Sequence, residues 1–163
     1  MSDRKPKYVK DSQVTMIELV LPNDTNILNN LLGGRLMHWM DIAGAMAAQK
    51  HCNTIAVTAA VDVLTFHIPI KLGDIVTLKA SVNRAFNTSM EVGIKVEAED
   101  IETGEKKHSN SAYFTFVSID KATHKAMKVP QILPETDAEK RRYEQALVRR
   151  NQRLAKSHGI LSS

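Results

Sequence analysis

The sequence predicts an α+β domain in which an antiparallel five-stranded sheet is wrapped round one long central helix, with a further helix at the C-terminus. Three observations predict it. A stretch from Leu36 to Ala48 is apolar nearly all round a helix. Two segments, Val76–Asn83 and Met90–Glu97, alternate apolar and polar residues with a period of two. The strand-like segments form a run after the helix rather than alternating with further helices, which segregates helix from sheet.

Val14 to Leu21 reads as the first strand, ended by the turn-forming Pro22-Asn23-Asp24. An Asn-rich loop follows, then Gly33-Gly34 and a helix to about Lys50. From Thr54 to Phe66, the odd positions Ile55, Val57, Ala59, Val61 and Val63 predict a strand with that face buried. Val76, Leu78, Ala80 and Val82 form the inward set of the next strand, and Met90, Val92, Ile94 and Val96 that of its neighbour. Asn87-Thr88-Ser89 is short enough to join these two as a hairpin. A turn over 100–105 leads to a last strand, about Lys107 to Ile119, with Ala112, Phe114 and Phe116 on one side. Tyr113, Val117 and Ile119 on the other imply that its far end is covered on both faces. Pro130 and Pro134 mark a linker, so residues 1–134 form the principal domain and 135–163 a basic C-terminal helix and tail. Within that tail, Tyr143, Ala146, Leu147 and Leu154 make a narrow apolar stripe on a surface helix running to about Lys156.

Composition excludes several classes. With 163 residues, 43% hydrophobic and 25% charged, the chain suits one folded domain. The N-terminus lacks the apolar core of a signal peptide, and no apolar run reaches the ~20 residues that span a bilayer. A single cysteine, Cys52, fits a reducing compartment, and a cytoplasmic location is expected. The net charge of +4 sits in the C-terminal helix, so a nucleic-acid-coating role is not expected. That basic helix either carries a patch for phosphates or is simply a solvated face.

The central helix, apolar all round, needs cover on all sides, which one sheet does not provide. An obligate oligomer is therefore expected. Asp41 is the one carboxylate on this helix. Burying an ionised carboxylate is costly unless it is paired, so its presence needs a reason. His38, Asp41, Ala45 and Gln49 share one face, with Gly44 and Ala48 beside them, a polar and small stripe suited to lining a channel. On pattern alone, two readings stand: a catalytic carboxylate, or one that faces water or pairs with a basic residue. The backbone N–H groups of Gly33 and Gly34 can approach an anion or developing oxyanion. Gly34 and Asp41 are about two turns, ~10 Å, apart along the helix. Within one chain they are badly placed to act on one atom; across a two-fold between antiparallel helices they could meet. His51, Cys52 and His67 lack metal-ligand spacing, and His108 with Ser109 and Ser111 makes no recognisable nucleophile–base pair.

The segments Pro22-Asn23-Asp24-Thr25-Asn26, Asn30-Leu31-Leu32-Gly33-Gly34 and Trp39 to Ala45 resemble the hotdog-fold acyl-CoA thioesterase family, which includes bacterial short-chain thioesterases and brain-type cytosolic acyl-CoA hydrolases. Thr65-Phe66 with Pro69, Gly73-Asp74, Thr88-Ser89-Met90 and Tyr113 to Val117 extend the resemblance over 14–134. It implies hydrolysis of fatty acyl-CoA to free acid and CoA without a metal or other cofactor. It places the catalytic carboxylate at Asp41, an assisting amide at Asn30 and carbonyl-polarising N–H groups at Gly33 and Gly34. It further implies substrate or CoA contacts at Arg84, Thr88, Ser89, Thr65 and His38, and a homodimer as functional unit, three of which form a hexamer. A non-catalytic acyl-CoA-binding protein and an enoyl-CoA hydratase or dehydratase are the alternatives within this fold.

Overall fold

A computed structural model describes residues 3–62, 64 and 66–161; Val63 and Thr65, each part of an expectation above, lie outside the described residues. The elements are β1 (Lys7–Tyr8), a 3-10 turn (Val9–Ser12), β2 (Val14–Leu19), a second such turn (Pro22–Asp24), α1 (Gly33–Cys52), β3 (Ile55–Val61), β4 (Ile75–Ala85), β5 (Ser89–Glu99), β6 (Lys106–Ile119), β7 (Ile132–Leu133) and α2 (Asp137–Leu161). Five strands form one antiparallel sheet in the order β2-β4-β5-β6-β3, and β1 pairs with β7 as a small parallel ribbon.

The period-two segments lie where they are expected. The β4 set from Val76 to Val82 and the β5 set from Met90 to Val96 are buried on the inner face, joined by the hairpin at 86–88. Phe114 and Phe116 of β6 stack with centroids 6.2 Å apart, and each fully buried aromatic contributes roughly 2–3 kcal/mol through lost apolar surface. Leu36, Met40, Ala43 and Ala47 of α1 pack onto this face. Gly44 lets the helix come close: a Cβ there would stand 2.9 Å from Phe116 Cε2. The small residues Gly44 and Ala48 therefore face the sheet and not a channel, which corrects the stripe expected from helical spacing.

β3 requires a larger correction. Ile55, Val57, Ala59 and Val61 are exposed in the single chain, whereas Ala56 is buried. The strand lies at the sheet edge, so its apolar face points away from the core of its own chain. Met37, Ile42 and Met46 of α1 are likewise exposed, so the helix is covered on one side only.

Part of the outer face of the sheet, chiefly at β4, is covered by α2. Thr136 caps its start: Glu139 N donates to Thr136 Oγ1 at 3.1 Å, and Thr136 N donates to Glu139 Oε2 at 3.3 Å. Ala146 is fully buried, and Tyr143 and Leu147 are half-buried, whereas Leu154 is exposed. Charged groups make the main attachment. Arg149 donates to both carboxylate oxygens of Glu91 (3.0 and 2.6 Å) and lies 3.5 Å over the Tyr113 ring. Glu91 is buried and also accepts from Asn83 Nδ2 at 3.0 Å, a link made possible by a bulge at Asn83 and by the missing side chain at Gly93. Val117 and Ile119 are half-buried, so the far end of β6 is partly covered on its second face.

Candidate functional site

Asp41 lies on the exposed flank of α1 next to edge strand β3, half-buried, and accepts a hydrogen bond at Oδ1 from the Thr58 hydroxyl. Among the described residues nothing bonds Oδ2. Thr58 escaped the sequence reading because it is an ordinary strand residue; only the packing of β3 against α1 brings it to the carboxylate. His38 is exposed on the same flank, and Gln49 Oε1 accepts from Ala56 N at 3.3 Å, tying α1 to β3 about two turns further on.

The start of α1 is built by the Asn-rich loop. Asn26 N donates to Asn30 O (2.9 Å), while its Oδ1 accepts from the N–H groups of Leu28 (2.9 Å) and Asn30 (3.2 Å). Asn29 takes a left-handed conformation (φ 58°), which Asn tolerates better than most residues. Buried Asp24 accepts from Leu21 N at 2.9 Å and pairs with Arg35 of α1 at 3.2 Å, which locks the loop to the helix. Asn30 and Gly33 then border a cavity of about 260 Å³. Gly33 lies under the Phe66 ring, whereas Gly34 has open space beside it. The helix start and the Asp41 carboxylate of one chain are thus separate features, in keeping with the axial separation inferred from the sequence.

At the hairpin, Arg84 donates to Tyr143 O at 3.2 Å and lies 4.0 Å over the Tyr143 ring, so it anchors α2 as well as flanking the turn. Thr88 O accepts from Ser118 N, and Ser89 O from Phe86 N; both residues are half-buried. His51 is fully buried; its Nε2 lies 2.7 Å from Pro130 O, and burial holds its pKa below the ordinary value of 6.5. His108 Nε2 and Ser111 Oγ do approach to 3.0 Å, a pairing the sequence reading did not find, but both side chains are exposed on the strand. Among the described residues no three His, Cys, Asp or Glu side chains gather as metal ligands, and no helix is long and apolar enough to cross a membrane.

Residues 28–105 match the thioesterase superfamily. The chain is 41% identical over 152 residues to protein VdlD of Helicobacter pylori, covering 93% of this chain and 84% of that one. It is 37% identical to the cytosolic acyl coenzyme A thioester hydrolase of Mus musculus, covering 95% of this chain but 41% of that longer protein. Among solved structures, an acyl-CoA hydrolase from Bacillus cereus superposes with a TM-score of 0.89 at 32% identity, covering 97% of this chain and 98% of that one. An apo-hexameric acyl-CoA thioesterase gives a TM-score of 0.89 at 35% identity, covering 93% and 97%. An acyl-CoA hydrolase from Staphylococcus aureus, in complex with butyryl coenzyme A, coenzyme A and coenzyme A disulfide, gives 0.86 at 34% identity, covering 96% and 98%. Alanine variants of that enzyme at one aspartate, one asparagine and one threonine have also been solved. Its threonine follows its aspartate by the same interval as Thr58 follows Asp41, and its asparagine precedes it by the interval that separates Asn26 from Asp41.

Proposed function

We propose that the chain, which belongs to the thioesterase superfamily and is an acyl-CoA hydrolase, works through Asp41 at a site completed by a second copy of itself. The carrying observation is the Thr58–Asp41 hydrogen bond. It gives the lone carboxylate of α1 a fixed orientation and leaves Oδ2 for a water molecule.

In the proposed reaction, Asp41 takes a proton from that water as it attacks the thioester carbonyl. The N–H groups of Gly33 and Gly34 from the second copy stabilise the developing oxyanion. Collapse of the tetrahedral intermediate breaks the C–S bond and releases CoA as thiolate, a good leaving group. Direct attack by the carboxylate, through a mixed anhydride, is the alternative, and oxygen-18 incorporation into the enzyme in a single turnover separates the two. Asn30 borders the cavity and is one candidate to hold the carbonyl or the water. Asn26, which the sequence reading passed over, is the other, supported by its spacing from Asp41. Arg84, Thr88, Ser89, Thr65 and His38 are proposed contacts for the substrate or its CoA portion. The proposed route uses only water, side chains and backbone N–H groups and calls for no metal or other cofactor.

The exposed apolar face of β3 beside Ile42 and Met46 supports a two-fold dimer as the functional unit. The hexameric relative supports three such dimers. A cytoplasmic location accords with the lone buried Cys52 and with the cytosolic mouse relative. Release of free thiol from acetyl-, butyryl- and palmitoyl-CoA tests the activity. Thiol release lost in Asp41→Asn is the expected result; crotonyl-CoA hydration without thiol release would overturn it.

A further inference from the structure

Among the described residues, the two most exposed large apolar side chains are neighbours on the loop before α1: Ile27 is 99% and Leu28 74% exposed. The loop that carries them is pinned at several points. Thr25 and Leu31 bridge at its base, Asn30 bridges to Lys71, and Leu72 N donates to Asn29 O at 2.9 Å. The Asn26 side chain holds Leu28 N and Asn30 N from within. Two apolar groups are thus presented to solvent in one fixed place, and little ordering is left for a partner to impose. A matching surface exists on α1. Ile42 and Met46, one turn apart, are 39% and 37% exposed on the flank that carries Asp41, with half-buried Ala45 between them.

We infer that the Ile27–Leu28 tip of one chain docks on Ile42 and Met46 of a second copy, an inference that rests on the reading of a site shared between two chains. That reading sets Gly33 or Gly34 of one helix opposite Asp41 of an antiparallel second helix. Five residues further along, Met46 then falls opposite residue 28 or 29 of the other chain. The two helices overlap only as far as Ile42, because α1 begins at Gly33. From Ile42 to Gln49, about 10 Å of exposed flank runs past the start of the partner helix, where the partner's preceding loop stands. Apolar tip meets apolar flank there, and the contact forms twice about the two-fold. Ile27 follows Asn26 directly, so the docked tip carries that amide toward the other chain's Asp41. Dimer formation and completion of the site become one event.

The test uses the full-length protein. Leu28→Cys chains co-expressed with Met46→Cys chains and treated with bismaleimidoethane should give covalent dimers on a denaturing gel, and neither variant alone should. Cys52 is fully buried and does not compete for the reagent. Leu28→Asp, at an exposed position that spares the core, should weaken dimerisation by about ten-fold or more in sedimentation and lower kcat/KM in step. Adding Met46→Lys should recover about ten-fold of both losses, because neighbouring sites are coupled and distant ones are not. An active dimer that gives no covalent species, or single-variant losses that simply multiply in the double variant, would overturn the docking assignment and leave the shared site intact. A raised KM for butyryl-CoA in Leu28→Asp with dimerisation unchanged would overturn it in favour of a substrate contact. A stable, active monomer would overturn the shared-site reading itself.

Discussion

The hydroxyl of Thr58, on the edge strand, donates to Oδ1 of Asp41 across the seam between β3 and α1. A hydrogen bond to a charged group is worth about 1.5–3 kcal/mol, so Thr58→Val should lower kcat by roughly 10- to 100-fold. Asp41→Asn, which removes the base itself, should lower it by about 100-fold or more. CoA binding measured by calorimetry should survive in both variants. Full activity in Asp41→Asn would remove the carboxylate from the mechanism.

The two asparagines of the loop before α1 make separable predictions. Asn26 uses its carboxamide oxygen inside the loop, whereas Asn30 borders the cavity. Asn26→Ala should lower kcat and also loosen the loop, seen as a fall in melting temperature. Asn30→Ala should act mainly on activity. An active, unaltered enzyme from one replacement assigns the positioning role to the other residue.

Apolar exposure on β3 and α1 predicts the assembly. Val57 is 44% exposed in the single chain, and Val57→Lys, which places a charge on this apolar face, should dissociate the oligomer and abolish turnover together. Sedimentation and thiol release, run at the same protein concentration, check this. A stable, active monomer at nanomolar concentration would contradict a shared site.

His51 predicts a pH dependence of stability. Burial holds its pKa below 6.5; the bond to Pro130 opposes this, and Lys7 and Arg4 add to it. Between the lowered folded value and 6.5 the unfolded chain binds the extra proton, so stability rises with pH there. The stabilisation is fully present above about 6.5 and is lost as pH falls through that range. Urea midpoints from pH 7.5 down to 5 should show this slope, and His51→Gln should flatten it.

Arg149 and Glu91 predict how firmly α2 is held. Removing one partner of a largely buried ion pair costs about 3–5 kcal/mol, because the other charge is left without compensation. Arg149→Ala should therefore reduce the unfolding free energy by about 3 kcal/mol, measured by urea titration. Gly44→Val, which drives a side chain into Phe116, should cost about 1–3 kcal/mol.

The sequence by itself determined the two helices, the five strands of the main sheet and their order along the chain, because the periods of helix and strand are local properties of the backbone. It did not determine the short β1–β7 ribbon, because a two-residue strand shows no period. The alternation from Val76 to Val82 and from Met90 to Val96 was enough to place β4, β5 and their hairpin. Asp41 was also legible as an anomaly, since an acid on an apolar helix needs only composition to be noticed. Which way a face points was another matter. Ile55, Val57 and Val61 alternate as well as any core strand, yet β3 lies at the edge and turns that face outward. Glu91 reads as a solvated strand residue but is buried, because Arg149, 58 positions later, covers it. Thr58 took its place at the site only when β3 met α1. Tertiary structure decided these because burial and partnership depend on what returns from distant parts of the chain, and no local period records that.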